Sequence, residues 1–244
     1  MCGYRDAKRR FPVGETGLCD VFSCTKIMTM VAAMQLVEQG KLRLDDEVTA
    51  YLPEFGSVRA ADAFDMPQRP VSWPDESRPS HPARSKMRVI DLMTMTSGMT
   101  YQLDAAPIQQ AVKASGSQAD ARNGAHDLAR RIREAVYLQP LSHDVVAIVE
   151  IVSGERYADY LTSHMACPLR LSQMMMHVPR EAEDRRAAQY MCDFQTGKVS
   201  LTTRENRFRL TSNYDSGGAG LTRTADDYCA VLDAAVLAPT VIRL

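Results

Sequence analysis

The run Phe22-Ser23-Cys24-Thr25-Lys26-Ile27-Met28-Thr29-Met30-Val31-Ala32-Ala33-Met34 decides how this chain is read. Ile27, Met30, Val31, Met34 and Val37 recur at helical spacing and Gly40 follows as a stop, so the pattern predicts a helix over 24–39 with one apolar face. Ser23 and Lys26 stand at the mouth of that helix. Residues at i and i+3 share a helix face, so the lysine nitrogen can reach the serine oxygen. A serine hydroxyl is a poor nucleophile until a neighbouring base takes its proton. A lysine in a desolvated cleft can lose its own proton and act as that base. The unpaired N–H groups and positive partial charge of a helix N-terminus favour negative charge on the serine oxygen. A chain of this length holds roughly one S-x-x-K tetrad by chance at average residue usage. The position of this one, at the start of a well-patterned helix, is what singles it out.

Outward from that helix, the bulk properties narrow the function classes. The 244 residues are 45% hydrophobic, enough for a sizeable core and inconsistent with global disorder. Twenty-nine basic residues nearly balance 30 acidic ones, for a net charge of −1. That balance gives no electrostatic case for nucleic acid or an anionic membrane as partner. The short pairs Arg9-Arg10, Arg130-Arg131 and Arg185-Arg186 have acidic neighbours and read as solvated faces. Cys2, Cys19, Cys24, Cys167, Cys192 and Cys229 form no C-x-x-C and no zinc-site spacing, so free thiols and a reducing compartment are expected. The N-terminal residues lack the apolar core of a leader peptide, and the longest apolar stretch is too short to span a bilayer. The expectation is a cytoplasmic protein without metal or organic cofactor.

The pattern predicts short strands within 1–22, the helix 24–39, a polar loop over 41–48 and a small helical turn at Tyr51–Phe55. Residues 56–86 are rich in Pro, Ser, Asp and Arg and read as an extended loop that carries Trp73, the single tryptophan. Helices are predicted at 88–95, as two segments within 104–137, at 144–152 and at 157–165. Strands are predicted at 188–194, 199–202 and 207–210, then a flexible loop Ser216-Gly217-Gly218-Ala219-Gly220, then a final helix capped at Thr224 and running through Leu237. Strands, helix, a helical middle, strands and helix make an α+β fold with a helical insertion, not regular βαβ alternation.

Several blocks then carry a family likeness. They are Phe22–Lys26 with Val31–Met34, Gly40-Lys41-Leu42 with Leu44-Asp45-Asp46, and Tyr51-Leu52-Pro53-Glu54-Phe55. Further along come Arg88–Met99, Leu141-Ser142-His143-Asp144-Val145-Val146 with Val152-Ser153-Gly154, and Cys167-Pro168-Leu169. Gly217-Gly218-Ala219-Gly220-Leu221 with Thr224-Ala225-Asp226-Asp227-Tyr228 closes the series. In this order the chain resembles the serine β-lactamase-like family, in its branch of class C-like β-lactamases, esterases and D,D-peptidases. The resemblance implies one domain over 1–244, with an antiparallel sheet drawn from about 1–55 and 185–244 and a helical insertion at about 56–184. It implies a serine hydrolase that cleaves small-molecule esters or amides through an acyl-serine, with Ser23 as nucleophile and Lys26 as general base.

The likeness breaks in two places. The family's tyrosine, which shares the acid/base work, falls where this chain reads Leu138-Gln139-Pro140; Tyr137, the nearest phenol, is the candidate to take its catalytic place if the loop rearranges. The strands that carry the family's third motif, one donor of its oxyanion hole, fall beyond Leu244, and the expectation is a chain incomplete at both ends. Loss of one such donor lowers rate on the order of a hundredfold or more. A catalytically impaired relative is therefore an alternative reading, and a penicillin-recognising D,D-peptidase a weaker one. Ser142-His143-Asp144 is not a triad, because consecutive residues at a helix start do not converge; Asp144 or Ser142 is expected to cap the helix instead. The absence of G-x-S-x-G argues against an α/β-hydrolase, and Gly217, Gly218 and Gly220 lack the Lys-Ser/Thr of a phosphate loop.

Overall fold

The computed structural model of the chain describes residues 3–57, 59–61, 80–97, 141–202 and 214–237. In chain order the elements are β1 (Cys19–Asp20), α1 (Thr25–Glu38), β2 (Arg59–Ala61), β3 (Ser80–Pro82), α2 (Val89–Met93), α3 (Leu141–Ser153), α4 (Tyr157–Leu161), β4 (Tyr190–Cys192), β5 (Val199–Leu201), β6 (Thr222–Arg223) and α5 (Ala225–Leu237). Tight helical turns at Phe22–Cys24, Val48–Ala50, Pro53–Ser57 and Arg180–Arg185 join them.

The core forms where α1 lies against α3. α1 contributes Met28, Val31, Ala32 and Leu36, and α3 contributes Val145, Ile148 and Val149, all buried. Each of the larger side chains, Ala32 excepted, contributes about 1.5–3 kcal/mol by leaving water. α2 and α4 pack on α3, adding Val89, Leu92, Tyr157, Tyr160 and Leu161 to the same cluster. Thr25 and Thr29 are also fully buried, on a second side of α1. The segment Ser216–Leu221 covers that side, and this cover positions the site described below.

The fold is α+β, as the element order predicts. The strands form three separate antiparallel pairs among the described residues: β1 with β6, β2 with β3, and β4 with β5. β1–β6 aligns Cys19 with Arg223 and Asp20 with Thr222, so the chain just before Ser23 is tied to the chain just after Leu221. Buried charge seals this join. Arg186 donates to the Asp20 carboxylate at 2.6 and 3.1 Å, and Gln189 and the Thr222 hydroxyl donate to the same carboxylate.

Four expectations need correction. The stretch 56–86 is not wholly an extended loop, since β2 and β3 pair within it. α3 begins at Leu141, so neither Ser142 nor Asp144 caps it; Asp144 lies buried in the first turn, where helix N–H groups favour a carboxylate. The helix predicted over 157–165 changes after Leu161 into a π-helical turn, Thr162–Ala166. The segment Ser216–Gly220 is not a flexible loop but is buried throughout. Trp73, Tyr137, the helices predicted within 104–137 and the strand at 207–210 lie outside the described residues. The thiols of Cys19, Cys24, Cys167, Cys192 and Cys229 are free. Among the described residues, no helix is long and apolar enough to cross a membrane.

Candidate active site

Ser23 lies in the tight turn Phe22–Cys24 that feeds α1. Two hydrogen bonds strap the turn on either side. Val21 N–H donates to the Leu221 carbonyl at 3.0 Å, and Leu221 N–H donates to Thr25 Oγ1 at 3.1 Å. Between these straps Phe22 adopts φ +42°, a left-handed conformation that is a true outlier for a bulky residue. Strain of this kind costs on the order of 1–3 kcal/mol and persists only where the surroundings impose it. Its effect here is a sharp corner that leaves Ser23 exposed at the surface.

Lys26 sits one turn further on, with Nζ 3.1 Å from Ser23 Oγ and 2.9 Å from the Gly218 carbonyl oxygen. The spacing argument therefore holds in three dimensions. Burial pushes the Lys26 amine below its ordinary value, while the nearby Cys24 thiol works in the opposite direction. As an ammonium, Lys26 donates to both oxygens. As a neutral amine, it keeps one N–H on the Gly218 carbonyl and turns its lone pair to the Ser23 hydroxyl. That second state is able to accept the serine proton, which is the arrangement nucleophilic activation needs.

The wall opposite α1 is the segment 216–221. Thr29 Oγ1 donates to the Gly217 carbonyl at 2.8 Å, next to the carbonyl held by Lys26. Gly220 N–H turns back to the Ser216 carbonyl at 2.8 Å. A Cβ at Gly220 would stand 2.9 Å from that carbonyl oxygen, from Ser216 Cβ and from Met176 Cε. The methionine end can yield; the backbone oxygen cannot without moving the wall. We expect Gly220→Ala to lower stability by about 1–3 kcal/mol in urea unfolding, the usual range for overpacking. An unchanged midpoint would mean that the wall has slack.

Asp215 anchors the near end of this wall. Its carboxylate accepts from Arg156 Nη2 at 3.1 Å, from the Ala158 N–H at 3.1 Å and bonds His177 Nε2 at 2.6 Å. Burial alone would raise the Asp215 carboxyl, but the His177 bond, the Arg156 charge and the Ala158 N–H outweigh it and hold the carboxyl below its usual value.

Of the three residues singled out from the sequence, Ser23 and Lys26 come together and Tyr137 lies outside the described residues. A phenol near the serine that the sequence reading passed over is Tyr228 on α5, whose hydroxyl donates to the Cys24 carbonyl at 3.3 Å. Burial pushes its pKa up. Thr29, Tyr157, Asp215, His177 and the two glycine carbonyls were also missed. Two signals could have found them: Thr29 is spaced i+3 from Lys26, and Gly217 and Gly218 stand in a block that carries the family likeness.

The chain is similar to several known proteins. The Beta-lactamase family model matches residues 1–243. Protein Rv1367c of Mycobacterium tuberculosis is 28% identical over 235 residues, spanning 93% of this chain and 55% of that protein. EstCE1, described as a hydrolase with promiscuous acyltransferase activity, superposes with a TM-score of 0.71 at 22% identity, covering 99% of this chain and 65% of that one. Simvastatin synthase (LovD) from Aspergillus terreus gives a TM-score of 0.67 at 22% identity, covering 95% and 58%. The chain spans about half the length of the curated relatives it matches over 93% of its own length.

Proposed function

The chain belongs to the beta-lactamase family, and from that premise we propose that it is a serine hydrolase or acyltransferase working on esters or related small acyl compounds. The observation that carries the reading is the Lys26 amine, partly desolvated and 3.1 Å from the Ser23 hydroxyl. Lys26 takes the Ser23 proton as Oγ bonds the acyl carbon. The ester C–O bond then breaks and the leaving alcohol takes up a proton. Water, or a second alcohol, releases the acyl group from Ser23 by the reverse chemistry. No metal or organic cofactor enters these steps. The description of EstCE1, nearby in fold, as a hydrolase with promiscuous acyltransferase activity supports admitting an acceptor other than water.

A second reading, a relative with impaired chemistry, draws on the absence of tyrosine from Leu138-Gln139-Pro140. One experiment separates the two. Incubation with a fluorophosphonate should add one probe mass to the intact protein, and peptide mapping should place it on the peptide that contains Ser23. Ser23→Ala should take up none. Labelling of wild type and variant alike, or of neither, would defeat the hydrolase reading.

A further inference from the structure

Lys26 and Thr29 are one helical turn apart on α1 and hold two consecutive carbonyls of the opposite wall. Lys26 Nζ takes Gly218 O at 2.9 Å and Thr29 Oγ1 takes Gly217 O at 2.8 Å. Behind Thr29, the Tyr157 hydroxyl lies 2.7 Å from Thr29 Oγ1. The Thr29 end of this pair is dry, since Thr29 and Tyr157 are both 0% exposed.

The proton order along this chain is fixed by chemistry. A carbonyl oxygen only accepts, so the Thr29 proton points at Gly217. Thr29 Oγ1 is then an acceptor toward Tyr157, whose hydroxyl must donate. Burial raises the Tyr157 pKa, so this phenol keeps the proton it donates. Each group has one role, and removal of any one leaves a buried polar atom unmatched.

We propose that Thr29, held by Tyr157, is a positioning residue: it fixes the Gly217–Gly218 backbone so that the Gly218 carbonyl keeps the Lys26 amine over the Ser23 hydroxyl. The inference rests on the reading of Lys26 as the base. Small misplacements of a catalytic group are expensive, with about 1 Å worth as much as a hundredfold in rate. Loosening the wall also admits water to Lys26 and relaxes the burial that depresses its pKa.

The test compares wild type with Thr29→Val, Thr29→Ser and Tyr157→Phe in two assays. The first is the pH profile of p-nitrophenyl ester turnover, with kcat and KM separated. The second is competitive acetylation of Lys26 by acetic anhydride across pH, read by peptide mass spectrometry; it needs no turnover. Thr29→Val should lower kcat about tenfold or more with KM nearly unchanged, consistent with lost positioning. It should also move the Lys26 labelling midpoint to higher pH. Thr29→Ser, which restores the hydroxyl, should recover both. Tyr157→Phe removes one oxygen only and should move both readouts in the same direction by less, and it carries the test should Thr29→Val fail to fold. A Thr29→Val or Tyr157→Phe protein with wild-type kcat and midpoint would overturn the proposal, as would a Thr29→Ser protein that behaves like Thr29→Val. If the midpoint moves as expected while Ser23→Ala leaves turnover intact, the positioning role stands and the hydrolase reading falls.

Discussion

Lys26→Met will leave a folded protein whose ester turnover is lower by about 10²–10⁴-fold, the range in which a positioned base contributes. Methionine has nearly the length of lysine and suits the partly buried site, so the change removes the amine and little else. The loss should fall on kcat, because the proton is transferred only as the transition state forms. The pH dependence separates base from bystander. Ammonium cannot accept a proton, so wild-type rate should rise with pH as Lys26 deprotonates. Burial places that rise below the ordinary lysine value of 10.5, with the Cys24 thiol partly opposing it. Lys26→Met should lose the rise altogether. Lys26→Arg adds a discriminating arm: it retains positive charge but does not deprotonate in this range. If arginine sustained near wild-type turnover, Lys26 would be acting as a fixed charge and the proton-transfer role would be wrong.

What could be read from the sequence was local. The S-x-x-K tetrad and the helix that carries it are short-range features, and both appear as expected, with Nζ 3.1 Å from Oγ. The cap at Thr224 is likewise local, its hydroxyl accepting from Asp227 N–H. The misreadings share a different origin, since each depends on partners far along the chain. Three glycines among Ser216–Gly220 have the composition of a mobile loop, yet the segment is held by Lys26 and Thr29 nearly 190 residues away or more. Thr29 reads as a weak helix former until Tyr157 and Gly217 are brought to it. Asp144 has the local character of an N-cap, but the apolar run from Val145 is buried as a unit and the helix extends back past it to Leu141. Proline density hid the β2–β3 pair, where Pro82 occupies the end of a two-stranded ribbon, a position that requires no further ladder partner.

The same long-range logic makes Asp215 the most exposed point in the stability of the site. Its side chain is 1% exposed, while its partners Arg156 and His177 are 40% and 35% exposed. Asp215→Ala strips Arg156 of its counter-charge, His177 of its hydrogen-bond partner and the Ala158 N–H of its acceptor. Breaking a buried pair by removal of one partner costs about 3–5 kcal/mol, and the solvent access of Arg156 and His177 places this case near the lower figure. A loss of about 3 kcal/mol corresponds to a fall of roughly 6–12 °C in Tm for a chain of this size. The acid limb tests the electrostatic part. The Asp215 carboxyl is held below its ordinary value of 3.8, against the opposing effect of its own burial. A depressed carboxyl contributes its stability above the unfolded-state pKa and loses it as pH falls through the folded one. Wild type should therefore lose stability progressively below about pH 4. Asp215→Asn keeps the shape, has no carboxyl to titrate and should show a shallower acid slope from a lower starting stability. Parallel slopes for the two proteins would mean that the acid sensitivity arises elsewhere. Because Asp215 stands two residues before Gly217, its loss should also loosen the carbonyls that hold Thr29 and Lys26, so ester turnover of Asp215→Asn should fall at temperatures where the protein is still folded.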